Sequence, residues 1–361
     1  MTACDRCLRR GALLGILGPW IARALGEHRR LPAVLALDDE ALVAAVCGRR
    51  RGLIDAELAG FDPGEERRRS ATAGLATSCP HAESFPPVLR HGPDAVAALW
   101  LRGDPAGLAA LSREHSVAVV GARRPSAYGL ETANALGREL AAAGVPVVSG
   151  MALGIDSAAH EGALEAGGFT VAVLAGGADV PYPRSRAGLH RRIAASGLVL
   201  SEMPPGARPF RWSFPARNRI MAGLGAMTVV VEGTVNSGSL ITAGFAQDLG
   251  RDLGAVPGQI TSVLAAGPNG LIAEGAQVVR SAADVLDVLY GPGAGPRRDA
   301  RPPSLDPRLG ALLDAIERGA GSPDQLASES FETAEVVAGL TELELLGLIR
   351  RDAGGNYLRC P

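Results

Sequence analysis

Residues 117–130 read VAVVGARRPSAYGL, and the order of residue types in that stretch decides the fold. Val117 to Val120 form an apolar run too short for a buried helix, apolar on both faces, as a strand covered on either side must be. Gly121 ends the run, and a polar turn leads into a helix expected over Gly129 to Ala143, with Ala133, Leu136 and Leu140 along one face. The same sentence of strand, glycine turn and helix is repeated. Further strands are expected at Val145 to Val148, Thr170 to Leu174, Leu198 to Ser201, Thr228 to Val231 and Leu253 to Val256, with a helix from about Ile155 to Ala166. Alternation of this kind implies an α/β fold with a Rossmann-like, doubly wound, mostly parallel sheet.

Outward from that centre the patterning changes. Residues 1–85 read as a small helical domain, with amphipathic stretches at Leu13 to Leu25, Asp39 to Val46 and Gly52 to Leu58, followed by an Arg-rich region to Ser84. Arg9 and Arg10 ahead of the first stretch resemble the start of a leader, but Leu13, Leu14, Leu17, Trp20, Ile21 and Ala24 follow helical spacing, with Arg9, Arg23 and His28 opposite. Residues 86–290 hold the sheet. GPGAGPRRDARPP, residues 291–303, has nothing to pack and reads as a linker. Residues 304–361 read as three helices and a hairpin, the pattern of a winged helix.

Composition excludes several chemistries. All 36 basic residues are Arg, so neither a Walker-type lysine nor a Schiff-base lysine exists in the chain. A net charge of −2 rules out coating a polyanion by bulk charge, so anion binding must be local. Five cysteines, Cys4, Cys7, Cys47, Cys79 and Cys360, are too few and too scattered for a disulfide framework. Cys4 and Cys7 make one C-x-x-C without a second pair at ligand spacing, and Cys47, Cys79 and His81 are poorly spaced substitutes, so no metal is expected.

In an open parallel sheet, ligands bind where strand ends meet helix N-termini. Four such ends are equipped here: Gly121 with Arg123 and Ser126; Ser149 and Gly150 with Gly154; Gly176 and Gly177; and Ser237, Gly238, Ser239 and Thr242. Together they suggest an extended phosphate track. The run from Arg208 to Arg219 interleaves Phe210, Trp212 and Phe214 with arginines, the combination that holds single-stranded nucleic acid by ion pairing and stacking. Phe210 and Phe214 fit the core equally well. Arg217, Asn218 and Arg219 are assigned to the anion, because two arginines flanking an amide cost desolvation unless anions or carboxylates meet them. Tyr182 is followed by a basic cluster containing Arg184, Arg186 and His190. Asp156 and His160 lie four apart on one helix face, where Asp156 reads as a first-turn carboxylate satisfying free N–H groups. Glu232, at a strand end, is expected to pair with an arginine.

VGARRPSAYG, VSGMALGIDSAAHEGAL, GGFTVAVLAGGADVPYP, LSEMPPG, FPARNRIMAGL, VVEGTVNSGSLITA, AVPG and GPNGLIAEGA stand in that order between Phe85 and Leu289. In these motifs the chain resembles the DNA-processing protein A (DprA/Smf) family. The resemblance implies a SAM-like N-terminal domain and a C-terminal winged helix. It also implies a cytoplasmic, non-enzymatic homodimer, joined through the Rossmann-like domain, that uses no cofactor and no membrane. Such a protein would protect incoming single-stranded DNA during natural transformation and load the RecA recombinase onto it. By motif, the family's strand-binding positions fall on Gly121, Arg123, Ser126, the Ser149-Gly150 turn and the basic segment after Tyr182-Pro183, where this chain has Arg184, Arg186 and His190 in place of the family's frequent lysine and aromatic. The alternative is a Rossmann-type nucleotide phosphoribohydrolase with Glu232 in catalysis. Its P-G-G-x-G-T-x-x-E loop is missing from Glu232 to Gly238. A nicotinamide-dependent dehydrogenase is disfavoured because Gly121 to Ser126 is not G-x-G-x-x-G.

Overall fold

The computed structural model describes residues 2–25, 31–48, 51–90, 95–111, 115–293, 306–328, 333–346, 348–351 and 355–359. They belong to two compact units, Met1–Arg298 and Asp299–Pro361.

The first unit begins with helices α1 (Asp5–Leu25), α2 (Leu31–Leu35), α3 (Asp39–Cys47), α4 (Arg51–Ala59) and α5 (Pro63–Thr72). Strands follow as β1 (Ala76–Ser78), β2 (Leu99–Gly103), β3 (Val117–Val120), β4 (Val147–Ser149), β5 (Thr170–Leu174), β6 (Leu198–Ser201), β7 (Met227–Val230), β8 (Asp252–Ala255) and β9 (Gln277–Val278). Between and after the strands lie α6 (Ala106–Leu111), α7 (Ala127–Ala142), α8 (Ile155–Glu165), α9 (Ala187–Ser196), α10 (Ser213–Leu224), α11 (Gly238–Asp248), α12 (Ala266–Ala273) and α13 (Ala282–Tyr290). The strands form one sheet in the order β1-β2-β6-β5-β4-β3-β7-β8-β9. Every pairing from β6 to β9 is parallel, while β2 runs antiparallel to β6, and β1 to β2.

From β3 the chain winds outward through β4, β5 and β6, then returns to pair β7 with β3, with Val117 opposite Met227 and Val120 opposite Val230. Crossovers to either side of β3 lie on opposite faces of the sheet. Val117 and Val119 enter a core with α7 and α8 through Leu136, Leu140 and Ala159. Ala118 and Val120 enter the other, with Ile220 and Met221 of α10 and Ala243 of α11. Side-chain alternation along β3 therefore explains why the strand is apolar throughout. Where the winding reverses, between the carboxyl ends of β3 and β7, a crevice opens.

The expected division at residue 85 crosses continuous packing. Leu13, Leu14, Leu17 and Ile21 of α1 share a core with Leu42, Ile54 and Leu58, and also with Met203, Trp212 and Ala216 from beyond that point. Trp100 of β2 donates its Nε1 hydrogen to Ser70 Oγ of α5 at 3.0 Å. The same packing corrects the reading of the cysteines. The start of α1 and the end of β1 gather Cys4, Cys7, Cys79 and His81 so that their donor atoms lie within 4.8 Å of one another. Spacing in sequence had set them apart; tertiary contact between two elements removes that separation. Among the described residues no helix is long and apolar enough to cross a membrane.

The second unit has helices α14 (Pro307–Glu317), α15 (Pro323–Ser328) and α16 (Thr333–Leu345) and an antiparallel hairpin, β10 (Ile349–Arg351) with β11 (Tyr357–Arg359). Leu312, Ile316, Leu326, Val336, Leu340, Leu343 and Ile349 form its core. Three helices and a hairpin are the winged helix expected from sequence. The expected linker lies, from residue 294 onward, outside the described residues.

Candidate nucleic-acid interface

The crevice between β3 and β7 holds a cleft of about 250 Å³. Gly121 and Arg123 follow β3 into it, Arg217, Asn218 and Met221 face it from α10, and Ser237, Gly238, Ser239 and Thr242 form the start of α11 along one wall. A second hollow of about 110 Å³, lined by Gly150, Leu153, Tyr182 and Pro183, shares Arg123, Ala152, Phe214 and Arg217 with the first.

Three helices, α7, α8 and α11, aim their N-termini at this rim, and each N-terminus is a partial positive charge. Two are already answered from within the chain. At α7, Glu232 accepts the Ser126 N–H at 2.9 Å and its hydroxyl at 2.6 Å, while Ser126 Oγ accepts Gly129 N–H at 3.1 Å. Ser126 is thus an N-cap held by Glu232, and not a free phosphate donor. Among the described residues Glu232 does not form the arginine pair expected of it; buried to 5% exposure and committed to two donors, it is also poorly placed as a general base.

At α8, Asp156 accepts the N–H of Gly150 at 3.2 Å and of Ala152 at 3.4 Å, and faces Arg217 across 3.7 Å. Asp156 therefore ties down the loop ahead of α8 and not, as read from sequence, the helix's own first-turn N–H groups; Ile155 N–H goes to Ala122 O and Ser157 N–H to Ala152 O, both at 3.2 Å. Burial pushes the Asp156 carboxyl up from its ordinary range, against the pull of Arg217. The third helix differs. Ser237 caps α11 by accepting Ser239 N–H at 3.4 Å, and Gly238 is exposed. Among the described residues no carboxylate bonds to this first turn. Of these three helix starts, α11 is the one that opens into the cleft without a bonded carboxylate among the described residues, and Arg123 lines the same cleft.

The Arg/aromatic run divides by depth. Phe210 stacks on Trp212 with centroids 6.4 Å apart, and Trp212 donates its Nε1 hydrogen to Gly18 O at 2.8 Å, so both belong to the core around α1. Phe214 instead reaches the rim. Arg123 lies over its ring at 5.3 Å from the centroid, and the Tyr182 ring, 43% exposed, stands 5.5 Å away on another side. Arg123 itself is exposed. Phe214, omitted from the candidate set because its place in the run fits the core equally well, is revealed only by the depth of its neighbours.

Several assigned residues are committed elsewhere. Arg219 is fully buried and holds both oxygens of Glu202 at 2.8 Å, so its anion is internal. Arg217 lines the cleft but spends its donors on Gly150 O, on Val173 O at 2.6 Å and on Asn218 Oδ1 at 3.1 Å. Asn218 in turn donates to Gly238 O at 3.2 Å, locking α10 to α11. Ser149 Oγ donates to Val119 O at 2.6 Å inside the sheet. His190 is buried and bonds Ala178 O at 2.9 Å through Nε2, which must carry the hydrogen; burial lowers its pKa, so it adds no cation. Arg186 pairs with Glu161 at 3.1 Å, whereas Arg184 is exposed. Gly154 has φ +82°, and a Cβ there would stand 2.4 Å from Ala122 O. Gly176 and Gly177 permit close packing on the segment from Pro204 to Pro209. These glycines allow the close backbone approaches that shape the rim.

Comparison with known proteins agrees with this architecture. A family profile described as DNA recombination-mediator protein A matches residues 76–290, and a DprA winged helix domain profile matches residues 296–355. A putative DNA processing protein DprA of Mycobacterium tuberculosis is 41% identical over 277 residues, covering 72% of this chain and 68% of that protein. Protein Smf of Escherichia coli is 36% identical, covering 77% and 75%. Among solved structures, DNA processing protein A from Streptococcus pneumoniae superposes with a TM-score of 0.62 at 32% identity, over 79% of this chain and 98% of that one. The Helicobacter pylori protein, solved to explain its single-stranded DNA binding mode, gives 0.54 at 30% identity, over 60% and 97%.

Proposed function

Because this chain belongs to the DNA recombination-mediator protein A family, we propose that it binds single-stranded DNA across the β3/β7 crevice, as a non-enzymatic mediator in the cytoplasm. A phosphate sits at the N-terminus of α11, within reach of the cleft that Arg123 lines, and bases stack along Phe214 and Tyr182, with Arg184 extending the cationic side. The observation that carries this reading is the N-terminus of α11, with no carboxylate bonded to its first turn among the described residues, in the cleft that an exposed guanidinium and an aromatic ring also line, whereas Glu232 holds the cap of α7 and backbone carbonyls take the first N–H groups of α8. As a homodimer joined through the sheet-bearing unit, the protein would protect incoming strands during natural transformation and hand them to a RecA-type recombinase. A 291–303 linker leading to a winged-helix domain of residues 304–361 is part of this proposal, with residues 1–85 as a helical module packed on the 86–290 domain.

Fluorescence anisotropy with labelled oligothymidine tests it. Arg123→Ala should weaken binding at every sequence and lower the slope of log affinity against log salt by about 0.7, the share of one phosphate contact on a single strand. Phe214→Ala should cost about 1–3 kcal/mol of stacking. Wild-type affinity and salt slope in both variants would overturn the assignment.

A further inference from the structure

Outside the residues that line the crevice, the start of α1 meets the end of β1. Cys4 immediately precedes α1 and Cys7 lies in its first turn, so the two-residue spacer sets both thiols on one side of the helix start. Cys79 follows β1 directly, and a turn closed by Ala82 N–H to Cys79 O at 2.9 Å brings His81 back over the same point. His81 Nδ1 then lies 3.5 Å from Cys4 Sγ, 3.6 Å from Cys7 Sγ and 3.6 Å from Cys79 Sγ.

Three thiols around one ring nitrogen is not a hydrogen-bonding arrangement. An imidazole nitrogen offers one lone pair or one hydrogen, so it satisfies one of the three sulfurs and no more. A cation at their centre satisfies all four groups. With Zn–S about 2.3 Å and Zn–N about 2.0–2.1 Å, the nitrogen-to-sulfur edge of a tetrahedron is about 3.6 Å, which is the spacing found on all three edges. The surroundings suit thiolate sulfur as well: Cys4 N–H points at Cys79 Sγ across 3.4 Å, and Ala3 N–H is bound to Thr77 Oγ1 at 3.0 Å, fixing the entering chain against β1.

We propose that Cys4, Cys7, Cys79 and His81 bind one zinc ion in a closed Cys3His tetrahedron. Four protein ligands leave no open position, so the site is structural. Soft thiolate donors in tetrahedral array select zinc over the hard cations of oxygen sites. The ion staples the first residues of the chain to the edge strand of the sheet, over a core containing Leu8, Leu75 and Trp100. Cys47, buried among α1, α3 and α4 residues, is outside the cluster.

The full-length protein, purified without chelator or a metal-affinity step, is the sample for the test. Elemental mass spectrometry is expected to give one zinc per chain, and zinc-edge X-ray absorption to give three sulfur neighbours at about 2.3 Å and one nitrogen at about 2.0 Å. Cys79→Ala should lose the metal. Because that buried variant could misfold, His81→Cys at the exposed ligand provides the second arm: it should keep one zinc and convert the absorption spectrum to four sulfurs, while His81→Ala weakens retention against chelator. Protein that arrives metal-free and takes up no zinc when one equivalent is added, a Cys4–Cys7 disulfide found by mass spectrometry, or a zinc shell of oxygen and nitrogen alone would each overturn the proposal.

Discussion

Arg123, Arg217 and Arg219 have three different fates. Arg123 is exposed over Phe214, Arg217 ties three backbone and side-chain acceptors under the cleft, and Arg219 is sealed against Glu202. Replacing Arg219 by Ala leaves Glu202 charged, buried and unpaired, which should cost about 3–5 kcal/mol in denaturant unfolding. Arg123→Ala should stay within about 0.5 kcal/mol of wild type in the same measurement. His160 gives a second residue-level test. Its Nδ1–H donates to Thr170 Oγ1 at 2.7 Å, and burial depresses its pKa from 6.5 to about 3. The unfolded chain takes up a proton below about pH 6.5 that the folded chain refuses until about pH 3. Stability should therefore fall with acidification across that window, by about 1.4 kcal/mol per pH unit from this group. Asp156, whose carboxyl is shifted upward, opposes part of the fall. Urea midpoints from pH 7.5 down to about 5 should drop less steeply for His160→Gln than for wild type; equal slopes would refute the assignment.

Among the elements, α11 is the helix whose first turn separates folding from binding. Ser237→Asp keeps an N-cap acceptor and adds a charge that favours a helix N-terminus, so thermal stability should hold or rise slightly. The same carboxylate would fill the anion site, and oligothymidine binding should weaken; unchanged affinity would move the phosphate elsewhere. Which elements could be read in advance follows from their chemistry. β3, β5 and β6 were legible to the residue, because a parallel strand covered on both faces is a continuous apolar run. β9 was not: its two residues, Gln277 and Val278, are exposed and carry no pattern. α5, PGEERRRSAT, hides a helix with an Asp62 cap and Pro63 in its first turn behind an almost wholly polar surface; the helix buries only Glu66 and Ser70.

For the whole molecule, the cleft is built entirely from residues of the first compact unit. Truncation after residue 298 should leave oligothymidine affinity unchanged, measured by the same anisotropy titration, and lost binding would show that the winged helix contributes to the strand site. The sequence by itself determined the repeated strand-turn-helix grammar, the winged-helix tail and the set of glycine turns at the strand ends, because local backbone geometry and apolar periodicity are properties of short segments. It named the charged groups but not their partners. Only the tertiary structure decided that Glu232 holds the cap of α7 and Asp156 the loop before α8 while α11 stays open, that Arg219 and His190 turn inward, and that three thiols and an imidazole spread over nearly eighty residues converge. Pairing energies depend on distances between groups remote in the chain, and those distances exist only once the sheet has brought its edges and its crossovers together.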